Sequence, residues 1–197
     1  MVLSWLTATN NSGHFIFSIH KKRYTAPFFL SNKKDFVLCV PTVEQRELVL
    51  AIGSTSGKFG SKLDRSEGDT TIDDASQVVR LSQRQRRKLN QDHWNQFGIP
   101  GLHAQCLFEE DNESGGVFGV HGTVAHLRCR VLRILPKDTG EDDAHHLIQA
   151  QVVDAYCRSD YWEPQKQIFA PSLVTTPPPY LTFLGSQTFG KVVRLDD

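Results

Sequence analysis

The sequence contains no apolar run approaching the roughly 20 residues that a membrane-spanning helix needs. The stretch from Met1 to Leu6 is too short, and too soon followed by polar residues, to read as a signal peptide. Net charge is absent too, because 22 Lys and Arg balance 22 Asp and Glu. That balance removes the electrostatic footprint of a general nucleic-acid or membrane-surface binder. Cysteines are few, four in 197 residues, with no CxxC pair among them. Three of Cys39, Cys106, Cys129 and Cys157 fall inside apolar, strand-like runs. Reduced core thiols in a cytoplasmic protein are therefore expected rather than a disulfide framework.

Several familiar chemical signatures are missing. No GxGxxG stands after a strand, so there is no dinucleotide fingerprint of the Rossmann kind. Gly53-Ser54-Thr55-Ser56-Gly57-Lys58 approaches a phosphate loop, but three residues separate its glycines where four are needed, and Phe59 follows the lysine. No G-x-S-x-G elbow is present for a hydrolase nucleophile. His103, His121, His126, His145 and His146 lack the i, i+4 or paired Cys/His spacing of a ligand set, so ordinary strand and surface histidines are expected and no metal centre.

What is there reads as mostly β. His14–His20 is rich in aromatic and β-branched residues and follows the turn-forming Asn10-Asn11-Ser12-Gly13. Asp35–Val40 is a second strand, ended by Pro41. Thr42 with Gln45 three residues on predicts a helix over 43–52, closed by Gly53. Residues 123–135 and His145–Cys157 read as a long antiparallel hairpin, with apolar residues alternating against His and Arg. Its turn falls at 138–143. Pro171 and Pro177–Pro179 favour extended, irregular chain before a last strand over 180–184. With one convincing helix, an antiparallel barrel in a single domain satisfies the pattern best.

Residues 63–92 look like a polar insertion. Their basic run Arg84–Lys88 is either a solvated helix face or a patch for a partner.

Two segments concentrate small hydroxyls, glycine and basic residues, the composition that suits a phosphate. One is Ser4-Trp5-Leu6-Thr7-Ala8-Thr9 with, after one strand, Arg23-Tyr24-Thr25. The other runs from Gly53 to Lys62. On residue chemistry alone these are two anion-friendly loops. Trp5 could equally be a core or interface aromatic, and Arg23 with Thr25 could equally finish a strand.

Taken in order, however, they resemble the flavin reductase-like domain family, flavoredoxins included. That family shows a Ser-Trp loop, a strand, a basic residue with Thr, an "eFvvnvP" strand (here Phe36–Pro41), a helix and a "cGxxSGr…dKF" loop. Ala125–Val131 is similar to its "leCrV" strand, and residues 146–156 to its "hhlvvGeVv" strand.

The resemblance implies an FMN-binding split β-barrel, antiparallel with a few helices, forming a homodimer. It implies cofactor contacts from Trp5, Thr7, Ala8 and Thr9 to the ring system. Phosphate contacts would come from Arg23, Thr25, Ser56, Gly57, Lys58 and Lys62. FMN is the expected cofactor, FAD the alternative, with NADH or NADPH as transient co-substrate. The activity implied is an oxidoreductase that passes hydride or electrons from NAD(P)H through flavin to an acceptor. A flavin carrier without its own NAD(P)H activity is the rival, and a barrel that binds a partner through Arg84–Lys88 is a third reading.

Two departures stand out. Lys58 replaces the family's arginine and so loses bidentate geometry. The family's first strand has no counterpart ahead of Ser4, so the barrel either begins upstream of Met1 or is completed differently.

Overall fold

The computed structural model describes residues 2–3, 6–30, 35–59, 61–63, 98–108, 117–136, 144–185 and 188–193. Trp5, most of the expected 63–92 insertion with its basic run, and the 138–143 turn lie outside these residues.

Five antiparallel strands form the main sheet, in the order β1 (Leu6–Ala8), β2 (His14–His20), β7 (His145–Cys157), β6 (Ala125–Ile134) and β3 (Asp35–Val40). Strand β2 alternates strictly: Phe15, Phe17 and Ile19 are buried while His14, Ile16, Ser18 and His20 are half-exposed, as a strand with one covered face requires. The 13-residue β7 is the spine. Its first part pairs β2, from His20↔His145 to His14↔Gln151, and β6 pairs it from Ile134↔Ile148 to Ala125↔Cys157. Stagger of this kind, together with the two irregularities in the β6–β7 register, is the pattern by which a barrel wall curves. Among the described residues the ladder does not close, and β1 and β3 are its edges.

The core lies on the covered face. Phe15 and Phe17 sit opposite Ala150 and Ile148, beside Cys129 and Val131 of β6. Phe29 comes from a five-residue helix, α1 (Ala26–Leu30), that the sequence reading did not anticipate. Pro27 is tolerated in a first turn, where no intrahelical N–H is lost. Ala26 and Phe29, three residues apart, share the buried face. The Phe17, Phe29 and Phe36 rings meet edge-on or tilted, with centroids 5.1–5.7 Å apart.

The expected helix over 43–52 divides. Residues Val43–Gln45 form a 3-10 turn and α2 runs Arg46–Ser54, through Gly53 rather than ending there. The Thr42 N–H donates to Gln45 Oε1 at 3.2 Å, and Gln45 N–H to the Thr42 carbonyl at 3.1 Å, which tightens the first turn. At the far end the carbonyl of Ala51 accepts from Ser54 Oγ, Thr55 Oγ1 and Thr55 N–H at 3.0, 2.9 and 3.1 Å. Hydroxyls therefore stop the helix in place of the glycine.

Two hairpins flank the sheet: β4 (Ala104–Phe108) with β5 (Val117–Val120), and β10 (Tyr180–Gly185) with β11 (Thr188–Val192). A short pair, β8 (Trp162–Glu163) and β9 (Ile168–Phe169), lies between. The proline-rich chain is irregular, as expected, yet tied down. Val43 N–H donates to the Pro179 carbonyl at 3.0 Å and Leu181 N–H to that of Pro41 at 2.8 Å. The hydroxyl of the fully buried Tyr161 donates to the carbonyl of Pro178.

All four cysteines are free, but only Cys129 is buried; Cys39 and Cys157 are half-buried and Cys106 is exposed. The expectation of core thiols thus holds for Cys129 and fails for Cys39, Cys106 and Cys157. Cys106 sits on the two-stranded ribbon β4–β5, outside the five-stranded sheet. Among the described residues no helix is long and apolar enough to cross a membrane.

Candidate functional site

The turn after β2 and the loop after α2 come together. Turn residues 20–26 are held by Arg23 N–H donating to the His20 carbonyl and Ala26 N–H to that of Arg23, both at 2.9 Å. This leaves Arg23 exposed and Thr25 half-buried at the start of α1. In the second segment Ser56 Oγ accepts the Lys58 N–H at 3.2 Å, bending the chain into a 3-10 turn at Gly57–Phe59. The two segments touch at Gly57, where an added Cβ would lie 3.2 Å from Tyr24 Cδ1. Any larger residue there would push the aromatic ring away.

Lys62 is the most constrained of the predicted residues. Its ammonium donates to the Ile52 carbonyl at 2.8 Å, and its backbone carbonyl accepts from Ile99 N–H at 2.9 Å. Ile99 and Leu102 pack on Ala51 of α2, which fixes the loop to the helix. Burial, and after it the positive charge of Arg23, holds the Lys62 pKa below its ordinary value. Two cations from distant parts of the sequence therefore share one field. Lys58 is exposed nearby in sequence, and the hydroxyls of Ser54 and Thr55 are committed to the helix end.

The first segment is placed only in part. Val2 lies against the end of α2, its Cγ2 3.7 Å from where a Gly53 Cβ would be, and Leu3 packs on the core. Thr7, Ala8 and Thr9 are all exposed on or just after edge strand β1. Thr7 faces Ile16 in the register and Thr9 N–H donates to the His14 carbonyl at 2.8 Å. From Thr7 to the end of β2 is four strand positions, about 13 Å. The structure thus brings Arg23, Gly57 and Lys62 together, with Thr25, Ser56 and Lys58 on the same turn and loop. Thr7–Thr9 stand apart along the edge, and Trp5 lies outside the described residues.

Sequence reasoning passed over Tyr24, whose ring also meets Phe28 edge-on at 6.3 Å; its place between Arg23 and Thr25 was the available signal. It also passed over a buried cluster at the other end of β7. His126, only 6% exposed, pairs across strands with Cys39, its Nδ1 3.5 Å from the Cys39 sulfur. Burial holds its pKa below the ordinary imidazole value. Among the described residues no three His, Cys, Asp or Glu side chains gather as a metal site would need.

No protein-family model and no curated protein matches the chain. Solved structures do. An FMN-binding protein from Thermus thermophilus, with bound 1-cyclohex-2-enone, superposes with a TM-score of 0.57 at 16% identity, covering 99% of this chain and 79% of that one. Flavoredoxin from Methanosarcina acetivorans does so with a TM-score of 0.56 at 15% identity, over 99% and 77%. An FMN-binding domain of a flavin reductases-like enzyme from Shewanella baltica reaches 0.50 at 17% identity, over 93% and 73%. At such identities the likeness establishes the fold: this chain has the architecture of the FMN-binding split-barrel proteins.

Proposed function

We propose that the protein binds FMN at the cationic end of the sheet and works as an oxidoreductase, taking reducing equivalents from NADH or NADPH and passing them to an acceptor. The observation that carries this reading is the meeting of Arg23, Gly57 and Lys62, in a fold shared with an FMN-binding protein and a flavoredoxin.

The donor chemistry fits the phosphate end of such a cofactor. Arg23 and Lys58 are exposed cations, Ser56 supplies a hydroxyl, and Gly57 allows close approach of the backbone. Lys62 gives the sharpest test of fit. A half-buried ammonium beside a guanidinium is disfavoured alone and is relieved when a dianion arrives. In this reading Thr25 assists the phosphate site, Thr7, Ala8 and Thr9 border the ring system on and just after β1, and Trp5 contacts the same ring system. When bound, the flavin supplies the hydride and electron chemistry. The residues of the chain bind it, orient it and limit the access of water. FAD is the alternative cofactor. A cytoplasmic homodimer completes the proposal, and the free thiols support a reducing compartment.

The test is direct. Protein purified under native conditions should carry flavin absorbance, and mass spectrometry of the ligand released on denaturation should give FMN. Anaerobic NADH or NADPH should then bleach the colour. A colourless protein that takes up neither FMN nor FAD would sink the proposal. A yellow protein that neither nicotinamide bleaches would leave a flavin carrier in its place.

A further inference from the structure

At the opposite end of β7 from Arg23 and Lys62 there is a cavity of ≈ 460 Å³. It opens between β4, the turn that follows β5, the start of β6 and the end of β7. His121, Thr123, His126, Tyr156, Cys106 and Cys157 line it. The depression opens to solvent, and its volume falls in the roughly 300–1,000 Å³ range of small-molecule sites.

The wall is built with care around His126. Gly119 passes so close that an added Cβ would lie 2.2 Å from the His126 Nδ1; only glycine fits there while the ring stays in place. Cys39 stands against the same nitrogen at 3.5 Å, and its sulfur accepts the Val120 N–H at 3.3 Å. Thr123 Oγ1 lies 3.3 Å from Nε2 and donates to the Val120 carbonyl at 2.9 Å. The imidazole is thus held from three sides, and burial keeps it neutral.

Charge elsewhere in the wall is already committed. Arg158, the single Lys, Arg, Asp or Glu among the described lining residues, gives its Nε and one terminal nitrogen to Asp160 at 3.1 and 2.6 Å. Its Cζ also lies 5.2 Å over the Tyr161 ring. Burial pushes the Cys157 thiol pKa up, favouring the uncharged form. Among the described lining residues, an anion would find no cation of fixed charge without an acidic partner. Two thiols, a leucine (Leu107), a tyrosine and flat imidazoles instead offer polarizable, partly apolar surface, and sulfur contacts with aromatic rings are favourable.

We propose that this cavity is a binding site for a small, neutral aromatic compound bearing a carbonyl or amide group, separate from the cationic end and independent of whether flavin binds there. The ring would rest against the thiols and Tyr156, and the polar group would meet the exposed His121 at the polar edge that His126 and Thr123 brace.

Benzamide is a suitable probe, with benzoate as its charged counterpart. Ligand-observed NMR and calorimetric titration of the full chain should give saturable benzamide binding, with a Kd on the order of 1 mM for so small a molecule. Benzoate should bind about tenfold more weakly or worse. Cys106→Phe, at an exposed position where added bulk is tolerated, should block the site and weaken benzamide binding by about tenfold, with an unchanged circular dichroism spectrum. His126→Gln provides a second variant that should weaken it through the polar edge. Adding FMN should leave benzamide binding unaltered. Any of four results overturns the proposal: no saturation up to about 10 mM benzamide, a preference for benzoate, unchanged binding in both variants, or displacement of benzamide by FMN.

Discussion

Where β2 runs out and β7 begins, the side chains are basic and largely exposed: Arg23, Lys58 and the half-buried Lys62 crowd a turn and a loop. Where β7 runs out and β6 begins, they are enclosed and neutral: His126, Cys39 and Thr123 brace one another across strands. About 40 Å of strand separates the two. The contrast shows two ways of placing polar groups. Loops carry charge cheaply because water screens it until a ligand arrives. Strands fix neutral polar groups through register, because a one-residue slip would turn each of them to the other face.

Both ends depend on the core between them, and the largest expected effect comes from removing that support. Phe17 is 1% exposed and meets Phe29 edge-on and Phe36 at a tilt. Phe17→Ala should cost about 3–5 kcal/mol, measured by urea denaturation, and should weaken ligand binding at both ends together. If one end kept its affinity in a destabilised protein, the ends would not share a foundation and the comparison would have to be redrawn.

The next effect is confined to one end. Arg23→Ala combined with Lys58→Ala removes two of the proposed phosphate contacts, each charge-assisted. FMN affinity should fall by about 30- to 100-fold, near 2–3 kcal/mol, while the melting temperature without ligand stays within about 2 °C. The remaining affinity should also respond less to salt, because fewer charges are left to screen. Fluorescence titration at two ionic strengths reads both quantities. An unchanged affinity would remove Arg23 and Lys58 from the site and leave Lys62 as a structural lysine satisfied by the Ile52 carbonyl.

How far each end could be read from the sequence follows from the same contrast. The charged end was legible because its residues are contiguous. Arg23-Tyr24-Thr25 and Ser56-Gly57-Lys58 are short runs whose chemistry survives without a fold. The strand ahead of the first run was legible too, since β2 alternates cleanly, and Pro41 marks where β3 stops. Helix α1 was hidden, being five residues long and containing Pro27. Strand β1 was hidden because it is only three residues long and runs straight toward the turn-forming Asn10 and Asn11. The neutral end could not be read at all. Cys39 and His126 are 87 positions apart, and only the β3–β6 register makes them neighbours. Gly119 looks like an ordinary strand glycine until the imidazole behind it is located.

Acid separates two ionisable groups of the sheet by their sign and their burial, with the smallest expected effects. His126 faces Cys39, Thr123 and the backbone at Gly119, and burial depresses its pKa. The unfolded chain therefore takes up a proton near the ordinary value of about 6.5 while the folded chain does not. Stability from this group is complete above that pH and declines as the pH falls through the depressed folded value. Asp35 differs. It lies midway along the sheet, where Arg130 and Arg128 donate to it at 2.8 and 3.2 Å. The Arg130 hydrogen bond is the largest cause holding its carboxyl below the ordinary range, with burial opposing. Its contribution is complete above about pH 3.9 and is lost only below that, as the pH falls through the lowered value. For so exposed a pair it should be under about 1 kcal/mol. Denaturation from pH 8 to 3 should then show two declines. His126→Gln should flatten the first, below about pH 6.5, and Asp35→Asn only the second. Loss of the first decline in Asp35→Asn would mean that His126 is not held neutral by its enclosure, and the distinction between an enclosed neutral end and an exposed charged one would fail at the residue that defines it.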